Sequence, residues 1–257
     1  MRCTPFATFA YNFLLGGAAP CYKALEVAEL LVHATLGPNP VLDLDLAVRK
    51  QEMSLIMFAE GNLGLCLCTR RRKPMFALST RDILDAHRRF YGNVIKDRTY
   101  VVPLPVHEVF HRICNTTAED VTRKTLEDLE KTIRALFNES TMPTIWSRAA
   151  MIVLCQRLHR AGPLHPLVRA MSWDIILTLD PVPCHKSEVF PLFLAGTTAL
   201  LETQRIAVTA RWVRAPEKGF EEPLAFLKDL WEEMNKTGNT VSWMQFMEDR
   251  NVSLAFF

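Results

Sequence analysis

This 257-residue sequence lacks the short motifs that mark most nucleotide-dependent and hydrolytic enzymes. Its ten glycines form no phosphate loop, no Gly-x-Gly-x-x-Gly and no Gly-x-Ser-x-Gly. Dinucleotide binding and an esterase-type serine are therefore not indicated. Surplus charge is missing too: 30 basic against 28 acidic side chains leave a formal charge of +2. A chain whose task is to neutralise phosphates needs a larger basic excess. The seven cysteines include no C-x2-C pair, which excludes the usual zinc ligand spacing and suits thiols that serve as small core hydrophobes in a reducing compartment. Strand signals are weak, and no repeat or low-complexity segment is present.

What the sequence does have is apolar periodicity at helical spacing. Amphipathic patterns run through residues 22–37, 44–61, 79–97, 117–137, 143–162, 165–180, 221–236 and 242–257. Proline and glycine punctuate them: Gly37-Pro38 stops the first, Pro143 opens the fifth and Gly162 follows its end. Thr116 with Glu119 reads as a capping box before a stripe of Val121, Leu126, Leu129, Ile133, Leu136 and Phe137. Residues 99–106, "TYVVPLPV", are β-branched but hold two prolines, and read as an extended linker.

One segment departs from amphipathicity. "FPLFLAGTTALLETQR", residues 190–205, is free of charge until Glu202. It falls short of the about 20 apolar residues of a membrane span. A segment apolar on every face is buried on every face. The pattern predicts an all-α protein: a single domain over 1–257, with nine to eleven helices around a central helix near 190–205. Within it, 190–201 is expected to be nearly inaccessible, with Gly196 against another helix.

Candidate chemistry is sparse. "HEVFH", residues 107–111, matches the zinc-hydrolase pattern, in which two histidines share a helix face and Glu108 serves as base. Pro103 and Pro105 place His107 in a first turn, and Arg112 sets a cation beside the site, so neither metal nor other cofactor is expected. Glu127 and Glu130 are the nearest candidates for a third ligand. Asp43 and Asp45 are too sparse for a metal-binding acidic cluster, and Cys66 and Cys68 lack a second ligand pair. The basic run 70–73, "RRRK", reads as a solvated loop or an import patch. The N-terminal twenty residues resemble a signal peptide, and sequons occur at Asn115, Asn138, Asn235 and Asn251. Tyr11 and Asn12 interrupt the apolar run, however, and an intracellular protein is expected.

Taken together, "IWSRAAMIVLCQRLHRAGPLHPLVRAMSWDIILTLDPVP", "FPLFLAGTTALLETQR", "FLKDLWEEM" and "SWMQFM" resemble the fungal-specific transcription factor domain, the C-terminal regulatory region of zinc binuclear-cluster regulators. The resemblance covers about 104–250, and its most specific part is Phe190–Gly196 with Arg205. It implies an all-helical bundle, located in nucleus or cytoplasm, that controls a separate DNA-binding domain. It also implies an apolar effector in some members. Residues 1–100 diverge from the pattern and are shorter than the usual helical region.

Two functions follow as expectations. One is a regulatory domain without its own DNA reader or membrane contact, binding a small apolar effector or another regulator protein, in secondary metabolism. The other is a biosynthetic enzyme on the same scaffold, of cyclase, isomerase or Diels–Alderase type, with catalytic residues unassigned. For either, an apolar pocket is expected among Trp146, Ala150, Met171, Trp173, Phe193, Trp231 and Met234. His159, His165 and Arg205 are its candidate polar groups.

Overall fold

The computed structural model describes residues 18–50, 52–68, 73–79, 102–117, 119–137, 144–179, 188–213, 221–254 and 256. All but the first residue of the expected helix at 79–97, most of the basic run at 70–73 and residues 1–17 fall outside them. Among the described residues there are eleven helices and one pair of two-residue strands, so the fold is all-α. The chain divides into two compact units, residues 1–115 with 253–255 and 257, and residues 116–252 with 256.

The first unit holds α1 (Ala18–Leu36), β1 (Val41–Leu42), α2 (Leu44–Arg49), α3 (Met53–Cys68), β2 (Ala77–Leu78) and α4 (Leu104–Asn115). Its core joins Leu25, Ala28 and Val32 of α1 to Phe58 and Ala59 of α3, with Phe76 completing the cluster. β1 and β2 pair in parallel, Val41 opposite Ala77. Three sequence expectations change here. The pattern over 44–61 splits in two, because the Ala47 carbonyl accepts from the Glu52 N–H at 2.8 Å, one residue beyond helical register. A short pair of strands forms where only helix and loop were expected. Leu104–Val106 belong to α4 rather than to an extended linker. Pro105 fits because an N–H in the first turn needs no helical partner.

The second unit holds α5 (Arg123–Leu136), α6 (Thr144–Arg157), α7 (Pro166–Leu179), α8 (Val189–Thr197), α9 (Glu202–Val213), α10 (Glu221–Thr237) and α11 (Trp243–Arg250). α5 starts later than its expected capping box. Thr117 and Asp120 bond each other through their side chains at 2.6 Å and hold a turn, so Thr122 becomes the cap, accepting from the Thr125 N–H at 3.1 Å. α6 and α7 form a hairpin. It is closed by Arg160 in the left-handed region at φ 53°, with the Ala161 N–H on the Cys155 carbonyl.

α8 packs against α6, α7, α9 and α10, which is why no polar face survives on it. Every residue from Val189 to Ala199 is buried. The expected single helix over 190–205 is instead two helices. The Thr197 and Thr198 hydroxyls donate back to the carbonyls of Leu194 and Ala195, at 2.7 and 2.9 Å, where α8 ends. The Gln204 side chain then accepts from the N–H groups of Leu200 and Leu201, both at 3.1 Å, and opens α9. Leu201 lies outside the core, 56% exposed.

Gly196 is the close-approach point. A Cβ there would stand 2.6 Å from Leu227 Cδ1 of α10 and 3.4 Å from Val208 Cγ1 of α9. Gly196→Leu is expected to lower stability by about 1–3 kcal/mol through overpacking. A thermal melt unchanged from wild type would contradict this contact.

Candidate functional site

α9 and α10 line an open groove of about 550 Å³ on the surface of the second unit. α9 supplies Glu202, Arg205, Ile206, Thr209 and Ala210, one stripe at helical spacing. α10 supplies Lys228, Trp231, Glu232 and Asn235 in the same way. The walls are mostly carbon, with charged groups at the rim.

Arg205 and Trp231 organise the floor. Only 7% of Arg205 is exposed, yet its charge is well held. Its Nε–H donates to the Ala199 carbonyl at 3.0 Å, and Nη1 donates to Asn235 Oδ1 at 2.8 Å. The guanidinium carbon sits 5.6 Å from the centre of the Trp231 ring, a cation–π contact. Trp231 in turn donates its indole N–H to the Gly196 carbonyl at 2.9 Å. Both side chains therefore donate to carbonyls at or just past the C-terminus of α8, where the helix dipole favours a cation. The remaining nitrogen, Nη2, donates no hydrogen bond among the described residues, and the side chain borders the groove.

The family model of the fungal specific transcription factor domain matches residues 107–257. The chain belongs to this family. No curated protein and no solved structure matches it. The match takes in all of the second unit and begins within α4.

Of the residues expected to line a pocket, this fungal specific transcription factor domain brings Arg205 and Trp231 together at the groove. Met234, one turn on, is buried on α10. Trp146, Ala150 and Phe193 are buried core residues, and Trp146 stacks on Phe190 with ring centres 6.3 Å apart. His159, His165 and Trp173 are exposed on the α6–α7 hairpin, with Met171 half-buried there. Sequence reading missed Ile206, Thr209 and Lys228. The signal available in the sequence was Ile206, an apolar residue set between Arg205 and Thr209; the structure leaves it 59% exposed. On the opposite side of α9, Arg211 is 3% exposed, and its guanidinium has no hydrogen-bond partner among the described residues.

The histidine pair on α4 has a different surrounding. His111 Nε2 lies 2.7 Å from the Phe76 carbonyl and Nδ1 lies 3.1 Å from the Asn115 amide nitrogen. Both ring nitrogens are thus engaged, as suits a neutral imidazole donating from Nε2. His107 packs near the Phe76 ring, and neither of its nitrogens completes a hydrogen bond. Burial pushes its pKa down to about 3, with the neighbouring His111 adding in the same direction. Among the described residues no three His, Cys, Asp or Glu side chains converge as metal ligands.

Proposed function

We propose that this chain is the regulatory domain of a fungal transcription regulator, and that the α9–α10 groove holds an apolar effector bearing a carbonyl or carboxylate oxygen. The family supports the regulatory role. The observation that carries the ligand class is Arg205: a buried guanidinium, fixed by Ala199 and Asn235, with one edge left for an acceptor beside the apolar Trp231 and Ile206. Such a site combines apolar area with one oriented donor, which is how small-molecule pockets gain affinity and orientation. In this reading effector binding biases the domain between two states, and DNA contact comes from another domain or chain. The protein works in the nucleus or cytoplasm. No helix among the described residues is long and apolar enough to cross a membrane.

The test is titration with a series of apolar carboxylic acids and their methyl esters, followed by tryptophan fluorescence. Acids are expected to bind, and Arg205→Met to weaken them by about tenfold or more, the worth of a charge-assisted hydrogen bond. Ile206→Asp, an exposed position, is expected to abolish binding without changing the melting temperature. Equal affinities of Ile206→Asp and wild type would sink the groove as the site. Conversion of a bound compound would place the protein among enzymes.

A further inference from the structure

We propose that the exposed face of α7 is a docking surface for an acidic amphipathic helix of a partner protein. α7 is apolar on two sides and covered on one. Val168, Ser172, Ile175, Ile176 and Leu179 face inward and are buried. On the outer side Pro166, Ala170, Trp173 and Leu177 follow one another at spacings that align them on one stripe, and all are exposed. Trp173 is 41% and Leu177 55% exposed, and Leu164, just before the helix, is 61% exposed. An exposed tryptophan within an apolar stripe is a feature of interaction sites, where tryptophan is the residue most enriched among energetic anchors.

Charge identifies the occupant. Residues 144–179 contain four arginines and one acid, Asp174. That acid is engaged by Arg148, Nε to Oδ2 at 3.4 Å. Arg160, held in the left-handed region at the hairpin turn, and Arg169, one turn before Trp173, are exposed. Neither forms an ion pair among the described residues. The N-terminus of α7 adds the positive end of its dipole beside them. The stripe is therefore apolar along its length and cationic at one end. A helix carrying leucines on one face and glutamates beside them complements both features. Duplex nucleic acid fits less well. The whole chain has a charge of only +2, and the stripe offers carbon where phosphates would need donors. The α6–α7 hairpin packs closely along its length, so the face is presented on a rigid support.

The probe is a fluorescein-labelled synthetic peptide of about four helical turns, with Leu at i, i+3, i+4 and i+7 and Glu elsewhere. A Lys-for-Glu counterpart, a DNA duplex and anionic lipid vesicles serve as alternatives. Fluorescence anisotropy with the full chain is expected to show the Glu/Leu peptide bound at least tenfold more tightly than the Lys/Leu peptide. Trp173→Ser and Arg169→Glu are each expected to weaken it about tenfold with unchanged melting temperatures. The Arg160→Glu/Arg169→Glu double variant is expected to prefer the Lys/Leu peptide, a reversal that a purely structural role would not produce. Ile206→Asp, in the effector groove, is expected to bind the peptide as wild type does. The proposal is overturned if wild type does not discriminate between the peptides, if Trp173→Ser binds unchanged, or if DNA or vesicles displace the peptide through the same residues.

Discussion

Phe193→Ala is expected to lower the stability of the second unit by about 3–5 kcal/mol, the usual cost of emptying a buried aromatic site. Phe193 is wholly inaccessible. Its ring meets Trp243 edge-on, with centres 5.3 Å apart, and lies 4.5 Å from Phe256 and 5.8 Å from Phe226. Four aromatics from α8, α10, α11 and the C-terminal segment thus share one cluster, and removing the central ring empties the site on which the other three converge. A loss of this size is a large part of the about 5–15 kcal/mol that holds a typical domain folded. Thermal melts should show a drop of roughly 6–20 °C. Trp173→Ala, at an exposed aromatic, should stay within about 0.5 kcal/mol of wild type. A mild effect of Phe193→Ala, comparable to that of Trp173→Ala, would mean that the ring borders open space and not a filled core.

Acid is expected to destabilise the first unit well above the carboxylate range. His107 is buried and held neutral down to about 3, while an unfolded histidine takes its proton near the ordinary value of about 6.5. Between those two pH values the unfolded state binds the extra proton, so stability is complete above about pH 6.5 and declines as pH falls. His111 acts in the same direction, because burial lowers its pKa while the Phe76 carbonyl offsets part of that. The slope for one such group approaches about 1.4 kcal/mol per pH unit, or about 2–3 kcal/mol by two units below the unfolded pKa. Urea midpoints at pH 7.5, 6 and 5 measure it. In His107→Leu the slope should fall by close to one proton. Its stability at pH 7.5 should lie close to that of wild type, because removing a buried ring whose nitrogens complete no hydrogen bond offsets the loss of its contact with the Ala59 backbone. Parallel pH profiles for the two proteins would show that His107 takes its proton without unfolding.

Periodicity and punctuation were enough to read the helical class and most of the helices. They also singled out the segment that sits at the centre of the second unit. The reason is that burial leaves a local mark: Val189 to Ala199 is apolar on every face because four helices surround it. What the sequence did not contain was where a pattern breaks. The turn between α8 and α9 depends on hydroxyl and amide side chains bonding the backbone of particular neighbours, Thr197 to Leu194 and Gln204 to Leu200. The start of α5 was settled in the same way, with Thr117 and Asp120 holding a turn and Thr122 capping the helix in place of Thr116.

The site was legible in part. Arg205 and Trp231 were recognisable because a cation and an indole beside an apolar segment suit ligand chemistry. Their meeting was not, since Arg205 and Trp231 belong to different helices and come together only when both reach the end of α8. Trp146 and Phe193 have the same chemical character as Trp231, and only packing made them core. Trp173 and Leu177 show the reverse. Their sequence pattern is that of a buried helix face, yet the neighbours of α7 cover its other side. Residue type and spacing thus determined which faces avoid water. Which of those faces another helix covers, and which stay exposed, depended on the arrangement of helices far apart in the chain.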